Sequence, residues 1–169
     1  MKLKKDSKIN ILIIGSGNIA WHIVSHLCFF KRFNLTVYNR TPNTRLKQLH
    51  KEFKVDIISD WKKVKADYDI IFVCTGDSSI KSIALQLKKI KSKALVIHTS
   101  GTTPLSDLAN ASKNTGVFYP LQTFTFGQSV NWSEVPLFIE ASNKDALEFI
   151  SNFAKLFSKT VVKTSSQDR

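Results

Sequence analysis

Gly15-Ser16-Gly17-Asn18-Ile19-Ala20 follows directly on an apolar run, Ile9-Asn10-Ile11-Leu12-Ile13-Ile14. Such a short apolar run reads as a buried strand. The two glycines let the backbone turn sharply and pass close to a phosphate. The stretch from Asn18 to Lys31 reads as a helix, whose first amides point into the turn and favour an anion there. The glycine spacing alone is a weak signal. Strand, glycine turn and helix start together form the dinucleotide-binding fingerprint, with Ala20 in its third small position.

The rest of the chain alternates in the same way. Strands are expected at Asn34–Tyr38, Asp69–Cys74, Ala94–His98, Val117–Tyr119, Leu137–Glu140 and Thr160–Val162. Helices are expected at Thr44–Phe53, Ile80–Ile90, Pro104–Ala111 and Lys144–Phe157. Asp77 or Ser78 is the expected cap of the second of these. This alternation predicts an α/β fold of Rossmann type: a doubly wound, mostly parallel sheet with helices on both faces. At 169 residues the chain fits one domain, taken here as 1–164.

About twenty residues past the glycine turn the second strand ends at Asn39-Arg40-Thr41. An Asp or Glu at that place binds the free 2′-hydroxyl of NAD and repels a 2′-phosphate. Here a neutral Asn39 is followed by Arg40, whose planar guanidinium suits a phosphate, and by the hydroxyl of Thr41. The helix opening around Asn43 to Arg45 offers free amides and another positive charge. NADP is therefore expected over NAD, the alternative being that Arg40 is an ordinary solvated loop arginine.

In a doubly wound sheet the ligand lies beyond the carboxyl ends of the strands. Cys74-Thr75-Gly76, His98-Thr99-Ser100-Gly101 and Tyr119-Pro120-Leu121-Gln122-Thr123-Phe124 occupy such ends. Cys74, Thr75 and Gly76 are expected beside the cofactor, Gly76 allowing close passage, and Cys74 reads as a buried structural thiol. His98 can titrate near neutral pH and exchange a proton with a carbonyl or hydroxyl. The other reading of His98 is a histidine held by backbone hydrogen bonds to shape its loop. Ser100 stands with His98 as a candidate catalytic group. Thr99 and Gln122 are candidate substrate contacts. His22 and His26 lie one helical turn apart with no third ligand nearby, so no metal site is expected.

Composition excludes some classes. No apolar run approaches the length of a membrane span, and Met1–Asp6 lacks the apolar core of a secretion signal. Cys28 and Cys74 form no metal or redox motif, and a cytoplasmic protein is expected. The net charge of +12 comes from dispersed lysines, among them Lys2, Lys4, Lys5 and Lys8, without the aromatic interleaving of a single-strand binder. It implies a general pull on anionic cofactors and substrates rather than a nucleic-acid partner.

The glycine turn, Tyr38-Asn39-Arg40-Thr41, His98-Thr99-Ser100-Gly101 and Tyr119-Pro120-Leu121-Gln122-Thr123-Phe124 together resemble a bacterial group of Rossmann-like candidate oxidoreductases. That group is similar to pyrroline-5-carboxylate reductase, 6-phosphogluconate dehydrogenase and the deazaflavin-dependent NADP reductases. The resemblance implies that Gly15, Gly17, Asn18, Ile19 and Ala20 form the pyrophosphate turn and that Asn39, Arg40 and Thr41 select NADP. Members of the group continue into a C-terminal helical domain of unknown function that completes the substrate cleft and a homodimer. Here Ser165-Ser166-Gln167-Asp168 matches a helix capping box at the end of the sequence, so residues 165–169 are expected to start such a domain. The expected function is an NADP-binding domain of an oxidoreductase acting on a small carbonyl, imine or hydroxyl substrate. The alternative is a non-catalytic dinucleotide-binding sensor or scaffold.

Overall fold

In the computed structural model, residues 8–169 are described. Lys2, Lys4, Lys5 and the rest of the charged start of the chain lie outside them. One sheet of eight strands forms the centre: β1 (Ile9–Ile14), β2 (Phe33–Tyr38), β3 (Asp56–Ile58), β4 (Ile70–Val73), β5 (Leu95–His98), β6 (Thr115–Pro120), β7 (Leu137–Ala141) and β8 (Val161–Lys163). Their order is β3-β2-β1-β4-β5-β6-β7-β8. All neighbouring pairs are parallel except β6 and β7. The mostly parallel α/β fold read from the sequence is the fold observed.

Alternate side chains of β1 explain its near-continuous apolar run. Ile9, Ile11 and Ile13 pack beneath α1 (Asn18–Leu27), α2 (Thr44–Phe53) and α4 (Lys144–Ala154). Leu12 and Ile14 pack on the other face with Ile80, Ile83, Ala84 and Leu87 of α3 (Asp77–Ile90), and with Leu108 of a 3-10 turn at Leu105–Leu108.

Several boundaries differ from the sequence reading. α1 stops at Leu27, four residues short of Lys31, where Phe30 and Phe33 turn the chain back toward the core. α3 begins at Asp77 with Gly76 at its N-cap, so neither Asp77 nor Ser78 caps it. The Asp77 carboxylate instead accepts a 2.7 Å hydrogen bond from the Thr102 hydroxyl. The expected helix after Pro104 is only the 3-10 turn, and α4 ends at Ala154 because Phe157 folds into the core. β3 went unseen because three half-buried or exposed residues carry no period. At the end of the chain the Ser165 hydroxyl donates to the Asp168 carboxylate (2.5 Å), while the Asp168 amide bonds the Ser165 carbonyl. A capping box would have that hydroxyl accept a backbone amide, so the segment is one closed turn without the reciprocal cap bonds.

Under α4 an aromatic cluster fills the centre of the sheet. Phe118 is fully buried, with its ring edge-on to Phe72 and Phe157 at 5.7 and 5.1 Å. Truncating it leaves a cavity that the rigid sheet cannot close. Phe118→Ala is expected to cost about 3–5 kcal/mol, read as a lower midpoint in urea with an unchanged slope.

Candidate functional site

Strand order reverses between β1 and β4, so their carboxyl ends open a crevice where ligands of such sheets bind. Gly15 crosses that point at φ +114°, and a Cβ there would stand 2.4 Å from the Cys74 carbonyl oxygen. Its amide bonds the Tyr38 carbonyl and the Cys74 amide bonds that of Ile14, both at 2.8 Å, stitching three strand ends together. Gly17 is the N-cap of α1 and Gly76 that of α3. Neither offers a side-chain cap, and a Cβ on either would meet nothing within 4 Å. The other two α-helices are capped by Asn43 and Asn143, which accept the amides of Leu46 and Ala146. The helices that begin at the crevice thus leave their first amides without a side-chain acceptor, in open space.

The remaining residues of the turn fix its shape. Ser16 is buried and exchanges hydrogen bonds with Asn43 (3.3 and 3.0 Å). Asn18 donates to the Phe124 carbonyl and accepts from Arg45, which also stacks over Phe126 at 4.9 Å. Arg45 is therefore committed to the turn. Ile19 packs against the core, and Ala20, fully buried, fills the small slot under the helix.

A cavity of about 240 Å³ opens beside the turn, bounded by Gly15, Arg40, Thr41, Trp61, Thr75 and Gln86 among others. Arg40 is exposed and makes no hydrogen bond or ion pair among the described residues. Asn39 turns its amide onto the Thr41 carbonyl (2.6 Å). The Thr75 hydroxyl is buried with no hydrogen-bond partner among the described residues. The sequence reading missed Trp61, edge-on to Tyr38 at 5.0 Å, because the short β3 that carries it here was not seen. The apolar spacing of α3 also hid that Ser79, Ser82 and Gln86 face this cavity.

On the other side of the crevice, Cys74 is buried and its thiol is pushed up to about 12 by burial, against the Thr99 side chain it bonds. This is an inert thiol. His98 is wholly buried. Burial pulls its imidazole down to about 4, the nearby Arg169 charge acts the same way, and Asp77 and the Pro104 carbonyl oppose them. The expected titration near neutral pH is thus moved down, because burial and the Arg169 charge disfavour the cation. The Ser100 amide donates to Nδ1 (3.2 Å), which leaves the ring proton on Nε2. The Ser100 hydroxyl accepts the amides of Thr102 and Thr103 (3.2 and 2.9 Å), and Gly101 lies against the Tyr119 ring. Gln122 is exposed, its side chain accepting the Thr123 amide, and lines a separate cavity of about 380 Å³. His22 and His26 donate to the carbonyls of Thr125 and Leu156, both at 2.9 Å, and so anchor two loops to α1. Among the described residues no three His, Cys, Asp or Glu group to hold a metal, and no helix is long and apolar enough to cross a membrane.

Residues 1–110 match the shikimate / quinate 5-dehydrogenase family. The chain belongs to that family. Among solved structures, this dehydrogenase-family chain is similar to a candidate NADP oxidoreductase from Bacteroides fragilis (28% identity, TM-score 0.86, covering 95% of this chain and 62% of that one). It shares its fold with the prephenate dehydrogenase of A. aeolicus (18%, TM-score 0.82, 97% and 62%) and with a pyrroline-5-carboxylate reductase from Coxiella burnetii (21%, TM-score 0.72, 94% and 60%). No curated protein matches. The chain spans about three fifths of the length of these solved structures. It is a dinucleotide-binding Rossmann domain of an oxidoreductase family, as the resemblance to Rossmann-like oxidoreductases related to pyrroline-5-carboxylate reductase implied.

The two glycines of the turn separate by experiment. Gly15→Ala meets both a disfavoured φ and a backbone oxygen, and is expected to cost about 3 kcal/mol or more, a fall of roughly 6–12 °C in Tm. Gly17→Ala should leave Tm in place and weaken NADH and NADPH binding by about tenfold in titration calorimetry. His98 gives a pH signature. Its folded-state pKa lies below the unfolded value of 6.5, so the unfolded chain binds the extra proton. Stability is full above about pH 6.5 and falls by up to roughly 3 kcal/mol as pH drops toward 4. Denaturation midpoints of wild type and His98→Asn, compared from pH 4 to 7.5, check this: the variant should lack that slope.

Proposed function

We propose that this chain is the cofactor-binding part of an NADP-dependent oxidoreductase that moves hydride between nicotinamide and a small carbonyl, imine or hydroxyl substrate. The observation that carries the choice of NADP is Arg40: exposed, with no hydrogen bond or ion pair among the described residues, and beside the cavity where an acidic residue would repel a 2′-phosphate. Thr41 adds a hydroxyl there, and Asn39 shapes the loop. The similar Bacteroides fragilis protein is described as an NADP oxidoreductase, and a Plasmodium falciparum pyrroline carboxylate reductase of similar fold was solved with NADP bound.

The residues present fit such a group. Open space over Gly17, uncapped amides at the starts of α1 and α3, and the orphaned Thr75 hydroxyl are what a phosphate-bearing ligand completes. Gly15, Ser16, Gly17, Asn18, Ile19 and Ala20 would hold the pyrophosphate, with Cys74, Thr75 and Gly76 along the adjoining strand end. When bound, the nicotinamide supplies the hydride chemistry. His98 and Ser100 frame their loop in this reading, the Ser100 hydroxyl accepting two amides and the His98 Nδ1 a third, while His98 Nε2 has no hydrogen-bond partner among the described residues and is the atom left for proton transfer. Thr99 stays the residue assigned to a small-molecule substrate, beside Cys74, whereas Gln122 lines a separate cavity and leaves that assignment; no nucleic-acid or membrane partner is proposed. The greater length of the matched structures supports assigning the rest of the pocket, and the contacts of a homodimer, to a C-terminal helical domain. The burial of His98 also favours a second reading, a dinucleotide-binding sensor without turnover.

Titration of NADPH and NADH against wild type and Arg40→Ala tests the cofactor. Losing a charge-assisted phosphate contact should weaken NADPH by about 1.5–3 kcal/mol and NADH hardly at all. Equal losses for both would remove Arg40 from the selector role. Oxidation of NADPH in the presence of small carbonyls distinguishes the enzyme from the sensor.

A further inference from the structure

A row of side chains crosses the sheet level with the crevice: Ile14, Val73, His98, Val117 and Glu140 stand in register on five neighbouring strands. Registered neighbours point to one face, and Ile14 and Val73 place this row on the α3 side. Beyond it runs the loop 99–104, and across both lies Arg169. Its side chain is only 1% exposed. One guanidinium nitrogen donates to the Ser100 carbonyl, the other to the Thr103 carbonyl (2.9 Å), the Ser166 hydroxyl (3.4 Å) and the Glu140 carboxylate (3.5 Å). Ser166 donates to the same carboxylate (2.7 Å) and accepts the Leu105 amide (3.0 Å). A single planar fork thus grips both ends of the Ser100–Thr103 turn, which a point-charge ammonium has no geometry to do.

We propose that Arg169 is a positioning residue: with Glu140 and Ser166 it clamps the loop after β5 and so fixes the wall of the crevice on the side away from Arg40. This rests on the cofactor reading above only in assigning that wall to the nicotinamide end. Three other contacts define the loop, and Arg169 is the one that ties it to β7. The Ser100 hydroxyl gathers the Thr102 and Thr103 amides, Thr102 reaches Asp77 at the start of α3, and the Tyr119 ring lies under Gly101. The charged groups around His98 are Arg169 and Asp77, with Glu140 two strands away in the row.

Arg169→Lys keeps the charge and loses the fork, whereas Arg169→Gln loses both. Amide hydrogen exchange at Thr102 and Thr103 should quicken about tenfold or more in each variant, with core amides of β1 and β4 unchanged. In NMR titration the His98 midpoint should rise in Arg169→Gln and stay in place in Arg169→Lys, as the loss or retention of a charge beside the ring requires. A purely stabilising residue would speed exchange throughout, the core amides of β1 and β4 included. If the Arg169 variants do not fold, Glu140→Gln should still quicken the two loop amides about threefold. Loop exchange equal to wild type in every folded variant overturns the clamp. Failure of the wild-type chain to bind NADPH or NADH overturns the cofactor reading instead, and leaves the clamp standing.

Discussion

Everything at the crevice depends on how closely two backbones pass where the strand order reverses. Gly15 lies so near the Cys74 carbonyl that no side chain fits between them. That approach brings the ends of β1 and β4 together, and the helices that follow each strand therefore start side by side. Both have glycine at the N-cap, so their first amides are left for something other than a protein side chain. The contrast is with α2 and α4, whose first amides are closed by the asparagine caps Asn43 and Asn143.

Around this point the two halves of the crevice are built from opposite principles. Toward β2 the wall is open and polar, with Arg40 exposed and Trp61 beside it. Toward β5 and β6 it is buried and tied down: Cys74 and His98 are buried, and the loop after His98 is held by its own Ser100 hydroxyl, by Asp77 and by Arg169. A dinucleotide needs both. Its charged end is recognised by groups that wait in water, while a reactive ring is placed by a wall that does not move.

The fold was legible because burial leaves its period in the sequence. β1, β4 and β5 are apolar runs closed by glycine or polar residues, and α4 shows its inward face at Ala146, Ile150 and Phe153. The glycine turn and the position of Arg40 were legible because they rest on local backbone needs at fixed offsets. What stayed hidden depends on distance in space. Nothing next to His98 in sequence announces that burial in the sheet and the Arg169 charge would keep it neutral against the pull of Asp77. Likewise Arg45, which looked like a second phosphate ligand, was already spent on Asn18 and Phe126. Helix ends failed for a related reason: Phe30 and Phe157 carry helical spacing but are pulled inward as single anchors.

The sheet also ends with care. An open sheet of eight strands presents two rows of unpaired amides and carbonyls, a template for self-association. Here both outermost strands, β3 and β8, are three residues long, and Lys54 precedes one while Lys163 closes the other. Such short borders deny a second copy the length it needs to add a strand, and each carries a charge, Asp56 in β3 and Lys163 in β8. The brevity of the two borders, more than the net charge of the chain, thus guards a predominantly apolar sheet against aggregation.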